Sequence, residues 1–183
     1  TDAVAFAERV RRPMPTEPAL AARRGTAFHA WVEQHYARAS LLDLTDLPGA
    51  ADDVGDSGEA ELPGLKARFL ASEWAQREPI DVEVAIETVL DGIAVRGRID
   101  AVFARPGGGV TIVDWKTGPV PSGDAAQVRA VQLGTYALAY ARLRGLAPEA
   151  VEAAFYYART GETVRPQLPD EAELLALLRR IGD

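Results

Sequence analysis

Residues 93–118, IAVRGRIDAVFARPGGGVTIVDWKTG, decide how this sequence is read. Apolar and β-branched residues dominate both halves, and Pro106-Gly107-Gly108-Gly109 interrupts them. The stretch therefore reads as two β-strands joined by a glycine-rich hairpin. Asp100 falls near the end of the first strand, and Asp114 and Lys116 near the end of the second. Side chains two apart on a strand share a face, so Asp114 and Lys116 project together while Trp115 turns the other way. Pairing of the two strands brings Asp100 to the same patch. Two carboxylates beside one lysine have the makeup of a divalent-metal site next to a water-activating group.

The 183 residues suffice for one domain with a sizeable core, and a single domain is expected across 1–183. The composition, 48% hydrophobic and 26% charged, is that of an ordinary globular chain. There is no apolar run of the roughly 20 residues that would span a bilayer and no signal leader, so a cytoplasmic location and no membrane partner are expected. With no cysteine, disulfides, thiolate zinc sites and a cysteine-held iron–sulfur cluster are excluded. Only two histidines are present, so a metal site must rest mainly on oxygen ligands, which favours Mg2+ or Mn2+ over zinc. The formal net charge of −7 argues against a module that wraps nucleic acid by charge alone. The chain opens on Thr1 rather than Met, and the expectation is a domain cut from a larger polypeptide.

Around the hairpin, residues 1–18 break at Pro13, Pro15 and Pro18 and read as an irregular entry segment carrying the basic cluster Arg9, Arg11 and Arg12. The spacing of Leu20, Ala27, Phe28, Trp31 and Val32 predicts a helix from Ala19 to about Ala39. Inside it, Gly25 lies one turn before His29 and leaves room beside the ring, while Glu33, one turn on, is placed to orient the imidazole. His35 reads as structural or exposed. Residues 43–63 read as an acidic surface loop, and Asp52, Asp53 and Asp56 do not have EF-hand spacing. A second helix is expected from Gly64 to about Arg77, with Leu65, Phe69 and Leu70 buried. A strand over 80–90 follows, with Val82, Val84 and Ile86 alternating with Glu83, Ala85 and Glu87, and Asp91-Gly92 as a two-residue turn. In that alternation Glu83 reads as solvent-facing or as an outer-sphere acid. A long helix over 125–144 places Gln132, Tyr136 and Tyr140 on one face and stops at Gly145. A fourth strand over 150–158, a short fifth near 163–165, and a last helix with the Asp170/Glu173 capping box complete the chain.

Four blocks thus stand in order: GTAFH (25–29), GRID (97–100), DWKTG (114–118) and QLGTY (132–136). In this order and at these separations they resemble the RecB-type nuclease branch of the PD-(D/E)XK superfamily, over roughly residues 20–160. The resemblance implies an α/β, restriction-endonuclease-like core: a central mixed sheet of about five strands with an antiparallel meander, flanked by helices. It implies Asp100 as the first acidic ligand, with Ile99 where the superfamily name has Pro, Asp114 as the second, and Lys116 as the catalytic lysine. It adds His29 and the main-chain carbonyl of Trp115 as metal ligands. Gln132 and Tyr136 match the helical motif that positions substrate or braces the lysine.

The activity so implied is Mg2+- or Mn2+-dependent hydrolysis of DNA, exonucleolytic and free of any iron–sulfur cluster. Its setting would be a UvrD-, RecB-, AddAB- or AdnAB-like helicase–nuclease of double-strand break repair and recombination. Its partners would be DNA, an ATP-dependent helicase domain on the same polypeptide and a second helicase–nuclease subunit. Arg23, Arg24, Arg96 and Arg98, together with the basic cluster at 9–12, would line the approach of DNA. Two other readings stay open. One is a non-catalytic DNA-binding or assembly module keeping the nuclease fold, whose expected mark is a missing ligand. The other is a stand-alone RecB-like exonuclease.

Overall fold

Three strands in sequence form a meander in the computed structural model, which describes residues 20–40, 61–90 and 92–182. They are β1 (Asp81–Leu90), β2 (Ile93–Ala104) and β3 (Val110–Lys116), each antiparallel to the next. The entry segment 1–18 with its three arginines, the acidic stretch as far as residue 60, and Asp91 lie outside the described residues. Leu90 pairs with Ile93, so the turn holds two residues, and Gly92 has the positive φ of 82° that such a turn demands. In the second hairpin, Gly109 has φ 77°, and a Cβ there would come within 2.3 Å of the Ala150 carbonyl oxygen, so no other residue fits.

The chain then crosses through helix α3 (Asp124–Arg144) to β4 (Val151–Tyr157), which lies parallel to β3, and β5 (Glu162–Val164) closes the edge antiparallel to β4. The sheet is mixed, in the order β1-β2-β3-β4-β5. Helix α1 (Leu20–Ser40) and helix α2 (Leu62–Leu70) contribute to one hydrophobic cluster, and α3 and α4 (Glu171–Gly182) to the other.

Helix α1 buries Phe28, Val32 and Tyr36, which recur every four residues, whereas Ala27 is exposed rather than part of that face. Helix α2 starts at Leu62, with Pro63 in its first turn, and stops at Leu70, well short of Arg77. There the Ser72 hydroxyl and backbone N–H both donate to the Phe69 carbonyl, ending the ladder, and Leu70 is left exposed. The turns that follow bring Trp74 into the core, where its ring N–H donates to Thr163 on β5. At α4 the capping box is formed in both directions: Glu173 N–H donates to Asp170 Oδ1 and Asp170 N–H to Glu173 Oε2.

The alternation in β1 departs from the simple pattern. Val84 and Ile86 pack into the cluster shared with α3, while Val82 packs into the cluster shared with α1 and α2. Across from them on β2, Ile99 joins the first cluster and Ala101 the second. The switch occurs at Glu83, whose φ of 54° is the one left-handed value among the described non-glycine residues. A residue in that region rotates the pleat, so the strand changes which core it faces. Register is kept on both sides (Val82↔Ala101, Val84↔Ile99), and between those rungs Glu83 stands opposite Asp100 without a bridge.

Candidate active site

The carboxylates stand where β2 and β3 part. The last rung of that ladder is Ala101↔Val113. One step on, Asp100 Oδ2 accepts the backbone N–H of Trp115 at 2.7 Å, so a side-chain carboxylate replaces the next strand's carbonyl. Trp115 is anchored below the fork, its ring fully buried among Phe69, Trp74, Phe103 and Tyr156. That anchoring fixes both its N–H and its carbonyl at the site. Asp114 and Lys116 share the opposite face, as strand geometry requires, and Lys116 Nζ lies 2.5 Å from Asp114 Oδ2.

His29 reaches the fork from α1. Its Nδ1 is 3.3 Å from Asp100 Oδ1, and its Nε2 is 3.0 Å from the Trp115 carbonyl oxygen. Asp100, not Glu33, is therefore the carboxylate that orients the ring; Glu33 lines the same cleft. The room left at Gly25 faces Thr117, just after Lys116: a Cβ there would lie 3.5 Å from its hydroxyl oxygen, an ordinary contact.

Electrostatics mark this cluster as short of positive charge. Burial and the neighbouring Asp100 push the Asp114 carboxyl up to about 6, against the pull of Lys116 and His29. Burial depresses the His29 imidazole, but the hydrogen bond and charge of Asp100, the charge of Asp114 and the Trp115 carbonyl outweigh it, so its pKa is raised. With acceptors at both ring nitrogens, the imidazolium is the form that satisfies the geometry.

A further acid joins them. His29, Glu83 and Asp100 offer ligand atoms that all lie within 4.8 Å of one another. They line an open cleft of about 430 Å³ together with Gly25, Thr26, Ala30, Glu33 and Arg98. A larger cleft of about 630 Å³ adjoins it through Glu33, but it contains none of Asp100, Asp114 or Lys116. One imidazole, carboxylate oxygens and a main-chain carbonyl form a donor set suited to Mg2+ or Mn2+, and the raised Asp114 is what two close carboxylates show when a dication would relieve them. The residues present fit such an ion.

Alternation in β1 leaves Glu83 either solvent-facing or an outer-sphere acid, and the structure places it within the His29–Asp100 cluster. The signal that finds it is the register: a two-residue turn at 91–92 pairs Leu90 with Ile93, and counting back puts Glu83 opposite Asp100. Of the remaining expected residues, Arg98 lines the cleft, whereas Gln132 and Tyr136 have no described contact with the fork. Gln132 and Tyr136 lie on α3, with the Gln132 amide donating to the Tyr136 hydroxyl at 3.4 Å, and the Tyr136 ring rests on Gly97 of β2. Among the described contacts neither meets Lys116. Of the arginines expected on the DNA approach, Arg24 pairs with Glu61, Arg96 with Glu87 at 2.8 Å and Arg98 with Glu83 at 2.6 Å, while Arg23 is exposed on α1.

Comparison with known proteins bears on the family and the fold. The family described as the PD-(D/E)XK nuclease superfamily matches residues 4–182. The Gene 69 protein of Mycobacterium phage D29 is 38% identical over 88 residues, which make up 48% of this chain and 30% of that protein. The chain thus matches less than a third of that relative's length. The crystal structure of the "Putative exonuclease" from Eubacterium rectale superposes with a TM-score of 0.63 over 94% of this chain and 68% of that one, at 11% identity. At that identity the likeness is one of fold, and the fold is the restriction-endonuclease-like one: a mixed five-strand sheet flanked by helices.

Proposed function

Because the chain belongs to the PD-(D/E)XK nuclease superfamily, we propose that it is a divalent-cation-dependent deoxyribonuclease. In this reading His29, Glu83, Asp100, Asp114 and the Trp115 carbonyl hold the ion and Lys116 serves the reacting phosphate. The observation that carries the proposal is the fork itself: two buried carboxylates, a third acid and an imidazole converge beside one lysine. A bound Mg2+ or Mn2+ would supply Lewis acidity toward a phosphoryl oxygen and a water of lowered pKa. The chain's own groups do the rest. Asp100 fixes His29 and the Trp115 peptide in one rigid unit. Lys116, held by Asp114, presents an ammonium where the non-bridging oxygens gain charge, and its N–H groups orient the attacking water.

The test is cleavage of a labelled linear oligonucleotide with Mg2+ or Mn2+. Asp114→Ala and Lys116→Ala should each abolish cutting with the circular dichroism spectrum unchanged. Variants that cut like the parent would refute the assignment. A folded parent that neither cuts nor binds Mn2+ by calorimetry would favour the non-catalytic DNA-binding or assembly module instead.

We read the cutting as exonucleolytic and the domain as working with a helicase in double-strand break repair, on the same polypeptide or in a two-subunit assembly. What supports delivery by a motor is charge. The net charge is −7, and among the described residues Arg24, Arg96 and Arg98 are each matched by a glutamate, so these three offer little spare attraction for DNA. A stand-alone exonuclease would instead bind and degrade DNA equally well without the motor, and comparing the two forms decides between them.

A further inference from the structure

One carboxylate at the fork has two claims on it. Glu83 offers an oxygen to the cluster it forms with His29 and Asp100, whose ligand atoms lie within 4.8 Å of one another. Its Oε2 also accepts a hydrogen bond from Arg98 Nη1 at 2.6 Å. Arg98 lies on β2, two residues before Asp100, and lines the same cleft as these three groups. Among the described residues of that lining it is the one arginine or lysine, and the charges of Glu83, Glu33 and Asp100 all act on it. A guanidinium thus stands against the ligand cluster, at a place short of positive charge.

The two partners are unequally held. The Arg98 side chain is 66% exposed and that of Glu83 17%, so the carboxylate belongs to the cleft while the guanidinium reaches in from solvent. An ion pair so open to water is weak and easily exchanged. Glu83 is aimed by its backbone as well, since its φ of 54° falls where β1 changes cores. A dication carries twice the charge and approaches a carboxylate oxygen more closely than a guanidinium can. It would therefore outcompete Arg98 for Glu83 and repel the freed head. The long stem of arginine lets that head swing without moving β2. The anion it can meet at the rim of the cleft is the DNA backbone, and its planar fork of N–H donors fits two oxygens of one phosphate.

We propose that Arg98 is a stand-in cation that the metal displaces: it holds Glu83 while the cleft lacks an ion, and after the exchange its guanidinium binds a phosphodiester oxygen of the DNA beside the cleavage point. This rests on the nuclease reading above and adds regulation to it. Metal and DNA then bind with positive coupling, each raising the affinity for the other. The matching of Arg98 by Glu83 is thereby conditional: a side chain that offers DNA little without the ion becomes a free cation with it.

The test uses the whole protein in a Lys116→Ala background, expected to bind DNA without cutting it. Mn2+ binding is measured by calorimetry without DNA. Binding of a labelled oligonucleotide is measured by fluorescence anisotropy, with and without saturating Mn2+, and circular dichroism checks the fold. Arg98→Ala should tighten Mn2+ binding about threefold, since a competitor for Glu83 is gone. It should weaken DNA binding about fivefold or more with Mn2+, and by under about twofold without it. Glu83→Gln should tighten metal-free DNA binding about threefold, and adding Arg98→Ala should remove that gain.

Weaker Mn2+ binding by Arg98→Ala would overturn the proposal, because the arginine would then brace Glu83 as a ligand instead of competing for it. The same loss of DNA affinity with and without Mn2+ would overturn it too. So would no loss in either condition, the freed guanidinium then being taken by Glu33. A gain from Glu83→Gln that survives Arg98→Ala would reduce to one negative charge fewer and would also sink it. A protein with Lys116 intact that neither cuts DNA nor binds Mn2+ removes the nuclease reading itself. One that does both, while Arg98→Ala changes neither affinity, removes only the exchange.

Discussion

Replacing Asp114 by Asn should make the folded protein more stable at neutral pH and less active, and the size of the gain can be worked from the structure. Burial and Asp100 raise the Asp114 carboxyl from an ordinary 3.8 to about 6. A group whose pKa rises on folding takes up a proton as the chain folds, so it favours the folded state at low pH. That contribution is lost as pH climbs from the unfolded toward the folded value and beyond. Ionising Asp114 in the folded state therefore costs about 3 kcal/mol once the pH is well above 6. Asn carries no charge at any pH, and constant differences in packing or hydrogen bonding cancel when the two proteins are compared at two pH values. From pH 4 to pH 8 the stability of Asp114→Asn relative to the parent should rise by roughly 2 kcal/mol. Urea denaturation of both proteins at the two pH values, without divalent ions, reads this directly. Saturating Mn2+ should reverse the order at pH 8, since binding at one hundred times Kd adds about 2.7 kcal/mol to a protein that holds the ion and much less to one that lacks a ligand. A pH-independent difference between the two proteins would refute the reasoning, because Asp114 would then not be a strained buried charge.

Glu83→Asn should raise stability by under about 1 kcal/mol, since asparagine tolerates the φ of 54° better than glutamate, yet weaken Mn2+ binding by about tenfold or more; a drop in stability with unchanged metal affinity would place Glu83 outside the site. Mn2+ affinity should increase with pH through the raised His29 pKa, because the ion must displace one of the two ring protons directed at Asp100 and at the Trp115 carbonyl, and His29→Ala should both weaken binding and flatten that dependence. Calorimetry in buffers of different ionisation enthalpy checks it through the number of protons released. Trp115→Ala should cost about 3–5 kcal/mol in denaturant melts, the range for deleting a fully buried aromatic ring, and reduce cleavage as well, because the same anchor fixes the peptide that Asp100 and His29 hold.

By itself the sequence determined the order and type of the elements, because period and punctuation are local properties. The two-residue turn before Ile93, the glycine run after Pro106, Gly145 at φ 64° ending α3 and the Asp170/Glu173 box all act within a few residues of themselves. It also placed Asp114 and Lys116 on one face and Trp115 on the other, since strand geometry alone requires that. Where helix α2 stops was less legible, because a serine hydroxyl competing for one carbonyl outweighs a continuing apolar pattern. What the tertiary structure alone decided is the convergence. His29 and Asp100 lie 71 positions apart and meet only because α1 packs under the fork. Register alone puts Glu83 opposite Asp100, but its turn toward the fork comes where β1 and β2 both change cores, an event that alternation within one strand does not contain. Tyr136 reaches Gly97 because its place is set by how α3 lies across the sheet, and that is fixed by packing between elements distant in the chain.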